Sequence, residues 1–110
     1  MESTPPPYAG RLTLGGLTLS SPLVLAPLAG YTIPPLRALC RALGASLAFT
    51  EMVSAAGLVR ASRQTRPLLE RAPGEEPAGV QLFGARSDEL AEAARIGARE
   101  GFQVVDLNLG

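Results

Sequence analysis

Residues 79–109 read GVQLFGARSDELAEAARIGAREGFQVVDLNL, and this stretch decides the fold. It begins with an apolar run over 79–83, continues with an alanine-rich polar segment, and ends with a second apolar run over 104–109. Ser87 is predicted to cap a helix that reaches about Glu100, because serine favours N-caps and the acids after it suit the positive end of the helix dipole. A strand, a helix and a second strand in this order predict two parallel strands joined by a crossover.

The same alternation extends back toward the start of the chain. Leucine and threonine alternate around Gly15-Gly16, which predicts a β-hairpin over residues 11–20. The other predicted elements are a strand over 23–26 ended by Pro27, a helix over 33–43 capped by Thr32, a strand over 47–50 with Glu51 at its end, and a helix plus loop over 54–70 broken by Gly57 and Pro67.

This order of elements predicts an α/β fold with a parallel sheet preceded by a β-hairpin. Doubly wound sheets and (β/α)8 barrels both satisfy the pattern. A dinucleotide-binding fold is weakly indicated, because no G-x-G-x-x-G sequence follows the first strand. We expect one domain over residues 11–110, preceded by a short disordered lead over 1–10.

The predicted first helix carries one apolar stripe. Leu36, Leu39, Cys40 and Leu43 fall at positions i, i+3, i+4 and i+7, with Arg37 and Arg41 off the stripe. We therefore expect Cys40 to be a packed core thiol rather than a reactive one.

Composition excludes several classes of protein. A hydrophobic fraction of 46% favours a packed interior over disorder, and the formal net charge of +0 gives no global field that would attract nucleic acid or a membrane. The chain has one cysteine and no histidine, which argues against a disulfide framework and against a histidine-based metal site. No apolar run reaches the ~18–20 residues of a membrane span, and the start lacks signal-peptide features. We expect a cytoplasmic protein with no metal and no membrane partner.

Polar residues collect at the predicted carboxyl ends of the strands. Glu51 follows the second strand, Gln81 lies in the third, and Asp106 and Asn108 lie two apart in the fourth, so they share a face. Buried polar groups without partners cost roughly 1–3 kcal/mol each, so these groups need partners. Bonds to one another or to loop backbone would satisfy them, but four at one end favour a ligand site.

Six short stretches together are similar to one known family. They are 26–32 (APLAGYT), 36–37 with Cys40, 50–52 (TEM), 81–84 (QLFG), 91–95 (AEAAR) and 106–110 (DLNLG). In this order and at this spacing they resemble the tRNA-dihydrouridine synthases, particularly the bacterial group.

The resemblance implies the N-terminal half of a (β/α)8 TIM barrel that holds FMN at its C-terminal mouth, followed by a helical domain that helps to bind tRNA. It implies reduction of tRNA uridines to 5,6-dihydrouridine, with NADPH as the reductant. By the same resemblance, Pro27, Leu28 and Ala29 contact the flavin through backbone, Gln81 hydrogen-bonds it, and Asn108 lies beside flavin and uracil. Glu51 and Asp106 match family positions without an assigned role.

The chain departs from the family pattern at three places. Leu28 stands where the family usually has methionine, and Ile33 stands where it usually has an aspartate. In the family the segment ending at Gly110 continues into Cys-Pro, and that cysteine is the proton donor. We therefore expect these 110 residues alone to be inactive.

Four arginines follow the second strand within twelve residues. They are Arg60, Arg63, Arg66 and Arg71. Their position predicts a place near the barrel mouth, where the first three could bind tRNA phosphates. Of the two explanations we favour a solvated polar face, and no aromatic residues interleave to stack on bases.

Two other functions remain open from the sequence. One is a different FMN-dependent barrel, such as a relative of the dihydroorotate dehydrogenases, and the residue after Gly110 discriminates it from the synthases. The other is a non-catalytic half-barrel that dimerises as a binding module, which predicts a native stop after Gly110 and a dimer in sedimentation.

Overall fold

The computed structural model describes residues 10–110, so the predicted lead lies almost entirely outside the described residues. Short strands and helices alternate along them. In chain order the elements are β1 (Leu12–Leu14), β2 (Leu17–Leu19), β3 (Val24–Leu25), α1 (Pro34–Ala42), β4 (Leu47–Ser54), α2 (Ala55–Val59), a 3-10 helix (Arg66–Leu69), β5 (Ala78–Phe83), α3 (Ser87–Arg99) and β6 (Val104–Leu107).

Four parallel strands form one sheet in the order β3-β4-β5-β6, which is also their order along the chain. Helical segments occupy each of the three connections, as expected for parallel strands. The strands β1 and β2 form a separate antiparallel hairpin, with Leu12 opposite Leu19. The α/β class with a parallel sheet is therefore confirmed.

The hydrophobic core lies between the sheet and helices α2 and α3. Side chains alternate across a strand, so Val80 and Leu82 of β5 face this core while Gly79, Gln81 and Phe83 face the opposite side. The members of the core are Val53, Ala55, Leu58, Leu69, Ala78, Val80, Leu82, Ala93 and Phe102. The opposite side of the sheet, here called the open face, carries the polar strand residues.

Strand β4 is longer than predicted. It continues through Glu51 to Ser54 because residues 52–54 pair with β5 and Val53 is fully buried. A bulge lies between Phe49 and Met52, where two residues of β4 oppose one of β5. Glu51 thus lies within the strand, at the bulge, and the prediction that it follows the strand end was wrong. Two further strands are shorter than predicted: β3 is Val24–Leu25 and β6 ends at Leu107.

Both predicted helix caps were wrong. Ile33 is the N-cap of α1, and the Thr32 hydroxyl instead bonds the backbone of Leu28. Arg86 is the N-cap of α3 and makes no side-chain cap bond. Ser87 is the first residue of the helix itself. A cap that the sequence did not suggest occurs at Ser54, whose hydroxyl accepts from the Gly57 backbone N–H at 3.1 Å.

Gly57 was predicted to interrupt the helix, but it lies inside α2. A Cβ at this position would lie 2.3 Å from Oγ1 of Thr65, so the glycine is needed for close packing.

The buried face of α1 is not the predicted one. Leu39 and Leu43 are exposed, Cys40 is only half-buried, and Arg37, predicted to lie off the packed stripe, is 2% exposed. The Arg37 guanidinium makes a bidentate ion pair with Glu75 and donates to two backbone carbonyls, so its burial is fully compensated. The loop that precedes β5 therefore packs where the sequence pattern suggested solvent.

None of the helices in residues 10–110 combines the length and apolar character needed to cross a membrane.

Candidate functional site

The open face brings two polar residues and a methionine from three neighbouring strands into one row. Met52, Gln81 and Asp106 are register partners across β4, β5 and β6, and aligned residues of parallel strands point to the same side. Since their neighbours Val80 and Leu82 face the helix core, this row faces away from it. The predicted juxtaposition of Gln81 and Asp106 is therefore present.

Gln81 and Asp106 are bonded directly to each other. The Gln81 Nε2 group donates to Oδ2 of Asp106 at 2.8 Å, and both side chains are half-buried. The backbone N–H of Gln81 donates to the hydroxyl of Thr50 at 3.2 Å, beside the bulge in β4. The bond leaves the Gln81 side-chain carbonyl free of partners among residues 10–110, so this oxygen can accept from a ligand.

Asn108 lies just beyond the end of β6 and is held at three points. Its backbone N–H donates to Leu82 at 2.8 Å, its Nδ2 group contacts the Met52 sulfur at 3.1 Å, and its Oδ1 accepts from the Gly110 backbone at 2.9 Å. These partners settle the amide orientation, because a thioether only accepts and a backbone N–H only donates. One amide N–H and one oxygen lone pair remain for a ligand.

An open cavity of about 750 Å³ adjoins Asn108 at the carboxyl ends of β4, β5 and β6. This volume is within the range of small-molecule and cofactor sites. Its lining residues are Met52, Ser54, Ala56, Phe83, Gly84, Ala85, Arg86, Glu89, Asn108, Leu109 and Gly110. Of the predicted site residues, Asn108 lines the cavity directly. Gln81 and Asp106 lie two residues before the lining residues Phe83 and Asn108, respectively.

Glu51 anchors the loop that follows β3. Its Oε1 accepts from the backbone N–H of Gly30 at 2.6 Å, because the bulge turns this side chain out of the regular ladder. The predicted alternative, a bond to loop backbone, is what occurs here.

The loop with Pro27, Leu28 and Ala29 is a tight turn at the same end of the sheet. The hydroxyl of Thr32 bonds the backbone N–H and carbonyl of Leu28, at 3.1 and 3.2 Å. The Leu28 side chain is 50% exposed and Tyr31 is 70% exposed, so the loop presents apolar surface beside the strand ends.

Arg86 and Glu89 are the charged residues that line the cavity. Arg86 is the basic one. It donates two hydrogen bonds to Asp88, at 2.8 and 3.1 Å. This hydrogen bond raises the pKa of the Arg86 guanidinium and, together with a bond from the Glu89 backbone, lowers the pKa of the Asp88 carboxyl. Both groups are therefore charged at neutral pH, and the rim carries an arginine that is already paired.

A family model described as dihydrouridine synthase (Dus) matches residues 24–110. This match covers all four strands of the parallel sheet and every residue of the cavity. The chain belongs to the dihydrouridine synthase family.

Curated members of the Dus family are similar in sequence to this protein over most of its 110 residues. It is 40% identical over 97 residues to tRNA-dihydrouridine synthase B of Pseudomonas syringae pv. tomato, covering 88% of this chain and 29% of the relative. It is 41% identical over 97 residues to the protein of that name from Pseudomonas aeruginosa, covering 88% and 29%, and 36% identical over 99 residues to that from Xanthomonas campestris pv. campestris, covering 90% and 30%. The chain thus spans about 30% of the length of these relatives.

The arginines that follow β4 are not together at the site of this Dus chain. Arg60 lies near the strand ends, 3.6 Å from Glu89 of the cavity lining. Arg66 instead pairs with Glu100 after the end of α3, and Arg63 shares a separate surface depression with both. The prediction that all of them lie near the mouth was wrong, because the 3-10 helix carries the chain back toward the amino ends of the strands.

Arg71, the fourth member of this arginine cluster, has a structural role. Its guanidinium donates to the carbonyls of Glu100 and Gly101 and lies 4.8 Å from the centre of the Phe102 ring. It therefore ties the loop before β5 to the turn that ends α3.

Sequence reasoning missed Met52, Ser54, Phe83 and Arg86 as site residues. Met52 belongs to the 50–52 stretch and Phe83 to the 81–84 stretch that match the family, and this was the available signal. Ser54 and Arg86 depend on the extra length of β4 and on the cavity shape, which no local pattern indicates. Within residues 10–110 there is no cluster of three or more potential metal ligands.

Proposed function

We propose that the gene product containing this chain is a cytoplasmic enzyme that reduces uridine in tRNA to 5,6-dihydrouridine, with FMN as cofactor and NADPH as reductant. The observation that carries the proposal is the family match across residues 24–110, together with half-buried amides at the carboxyl ends of its parallel strands. Barrel enzymes assemble their sites from several strands at this end. Because the chain spans about 30% of its relatives, the activity is proposed for the whole gene product.

The fold proposal is that these residues form the first half of a (β/α)8 barrel. Four parallel strands adjacent in chain order, each followed by a helical crossover except the last, support it. Four strands cannot close a barrel of eight, so the remaining strands belong to the rest of the gene product.

The chemistry of the open face fits FMN. The polar edge of a flavin alternates donors and acceptors, and Gln81 offers a free carbonyl and a second amide N–H toward such an edge. The turn over residues 27–29, exposed at Leu28 and Ala29, offers backbone and apolar side chains for a flat ring. We propose Pro27, Leu28, Ala29 and Gln81 as the residues that hold the flavin. Bound FMN supplies hydride-transfer chemistry, which no side chain of this chain can supply.

Asn108 is proposed to bind the uracil edge beside the flavin. Its remaining N–H and oxygen lone pair match an alternating carbonyl and imide edge, and its other groups are already engaged. Glu51 is proposed to hold the turn over residues 27–30 in place through its bond to Gly30. Both roles are positional and neither requires a proton transfer.

The proton donor is proposed to be a cysteine directly after Gly110, as the resemblance implies. Tandem mass sequencing of the native gene product across Gly110 tests this proposal. A peptide that continues into Cys-Pro supports it, whereas any other residue at that position removes the proposed acid.

For tRNA phosphate, Arg60 is the best placed of the three proposed arginines. It is 74% exposed and lies beside the cavity, whereas Arg63 and Arg66 lie toward the opposite end of the sheet. Removing one phosphate contact weakens tRNA binding. It also reduces the slope of log binding constant against log salt concentration by about one. We therefore expect Arg60→Gln to change this slope, with Arg63→Gln as the matched control.

The decisive experiment is a turnover assay of the purified gene product with unmodified tRNA and NADPH, with dihydrouridine counted by mass spectrometry. We expect product formation and a loss on the order of tenfold in kcat for Asn108→Ala, the size of one lost hydrogen bond. Glu92→Gln, on the outer face of α3, is the control that should retain full activity. Absence of dihydrouridine with the wild-type protein under saturating FMN overturns the proposal.

A further inference from the structure

We infer that Asp106 is a positioning residue that selects which end of the Gln81 side-chain amide faces a bound cofactor. The inference rests on the proposed function, since it concerns the residue proposed to hold the flavin. It assigns a role to a carboxylate that otherwise has none in the site.

The geometry of the pair supports this role. The two residues are register partners on adjacent strands, and Oδ2 of Asp106 accepts from Nε2 of Gln81 at 2.8 Å. Both side chains are half-buried, so water competes less for this bond than at an open surface. The hydrogen bond joins a charged acceptor to a neutral donor, which makes it stronger than a bond between two neutral groups.

The chemistry of the acceptor gives the bond its selectivity. An amide has nearly the same shape in both of its flipped orientations, so packing alone discriminates poorly between them. An ionised carboxylate can only accept, and it therefore binds only the NH2 end. The Gln81 carbonyl is turned away from Asp106 and has no partner among residues 10–110.

The consequence is a preset recognition pattern. Gln81 presents one acceptor and its second N–H to the ligand, which suits a heterocyclic imide N–H next to a carbonyl. Without the carboxylate, the amide would adopt this orientation only part of the time, and ligand binding would have to select it.

The diagnostic substitution is Asp106→Asn. The asparagine side chain has the same size but can either accept or donate, so it satisfies both orientations of Gln81 and removes the selection. We expect the dissociation constant for FMN, measured by flavin fluorescence on the gene product, to rise about twofold, because only about half of the molecules then hold the Gln81 amide in the binding orientation. Glu92→Gln is the matched carboxylate-to-amide control and should leave this constant unchanged.

A double-mutant cycle separates positioning from a general structural effect. In a Gln81→Leu background, Asp106→Asn should cause no further loss of FMN affinity, because there is no amide left to orient. An equal loss in both backgrounds, or no loss in either, overturns the inference.

A third readout needs no variant at position 106. In the wild-type protein, the NMR signals of the Gln81 side-chain NH2 should include one proton shifted downfield by its bond to Asp106, and two unshifted protons would overturn the inference. A wild-type protein that binds no FMN overturns both the proposed cofactor and this inference. Normal FMN binding that Asp106→Asn does not alter overturns this inference alone.

Discussion

Gly79 provides, on the open face of β5, the space that the ring of Phe49 occupies. A Cβ atom at Gly79 would lie 2.3 Å from two ring carbons, which is closer than such atoms approach in folded proteins. The two residues are register partners on β4 and β5, so neither can move without disturbing the ladder. The absence of a side chain at Gly79 therefore allows the Phe49 ring to pack directly against β5.

Gly79→Ala should destabilise the gene product by about 1–3 kcal/mol, the usual cost of overpacking. Gly16→Ala is the control, since a Cβ at Gly16 meets nothing within 4 Å and its backbone is not in the left-handed region. Urea unfolding of both variants measures the difference. Equal free energies of unfolding for the two variants would show that the Phe49 ring can move aside.

Arg37 is a second residue whose contacts stabilise the fold locally. Its guanidinium is buried with the carboxylate of Glu75 and links α1 to the loop before β5. Replacing it with methionine leaves Glu75 charged and buried without its main partner.

Arg37→Met is expected to cost about 3–5 kcal/mol in the free energy of unfolding, as for other broken buried pairs. Arg95→Met removes an exposed arginine that pairs with Glu92 and should cost less than about 1 kcal/mol. Thermal or urea unfolding compares the two. A loss for Arg37→Met no larger than for the Arg95 control would contradict the assigned role.

At the scale of elements, the bulge in β4 connects the sheet to the first loop of the site. Two residues of β4 oppose one of β5, and this irregularity directs Glu51 toward the Gly30 backbone. The loop over residues 27–30 thus depends on a strand that is distant in sequence.

Glu51→Ala should speed hydrogen exchange of the Gly30 amide several-fold, because its acceptor is removed while the strand pairing remains. Glu100→Ala is the control, since Glu100 pairs with Arg66 after the end of α3, away from this loop. Hydrogen exchange followed by NMR is the measurement. An unchanged rate at Gly30 would mean that the Thr32 bonds to Leu28 hold the loop without Glu51.

At the scale of the whole molecule, apolar side chains lie exposed at both edges of the parallel sheet. Near β3, Leu39 of α1 and Leu43, which follows the helix, are 56% and 77% exposed. At the other edge, Val105 and Leu107 of β6 align with the core residues of β5 but are 37% and 49% exposed. Exposed apolar patches next to open strand edges favour association.

The 110-residue chain expressed alone should therefore self-associate, and the double variant Leu39→Lys/Leu43→Lys should reduce its mass in sedimentation. Ala91→Lys/Ala98→Lys adds the same charge at exposed positions of α3 and should have little effect. A monomer in the unmodified chain would refute the prediction. An equal effect of both double variants would point to charge rather than to the α1 surface.

The sequence by itself determined the order of strands and helices, the parallel sheet and the placement of Gln81, Asp106 and Asn108 toward the same end of neighbouring strands. Hydrophobic periodicity and turn residues are local signals, so both could be identified directly in stretches such as 79–109. The family match at residues 24–110 agrees with the resemblance that the short motifs indicated.

Only the tertiary structure decided which face of α1 is buried, where Glu51 points and how the arginines after β4 divide. Arg37 is buried because Glu75, 38 residues away, reaches it, and hydrophobic periodicity carries no information about such a partner. The bulge in β4 exists only through its register with β5. Pairing across strands and the return of the chain through the 3-10 helix are long-range events, and these contacts place the side chains of the site.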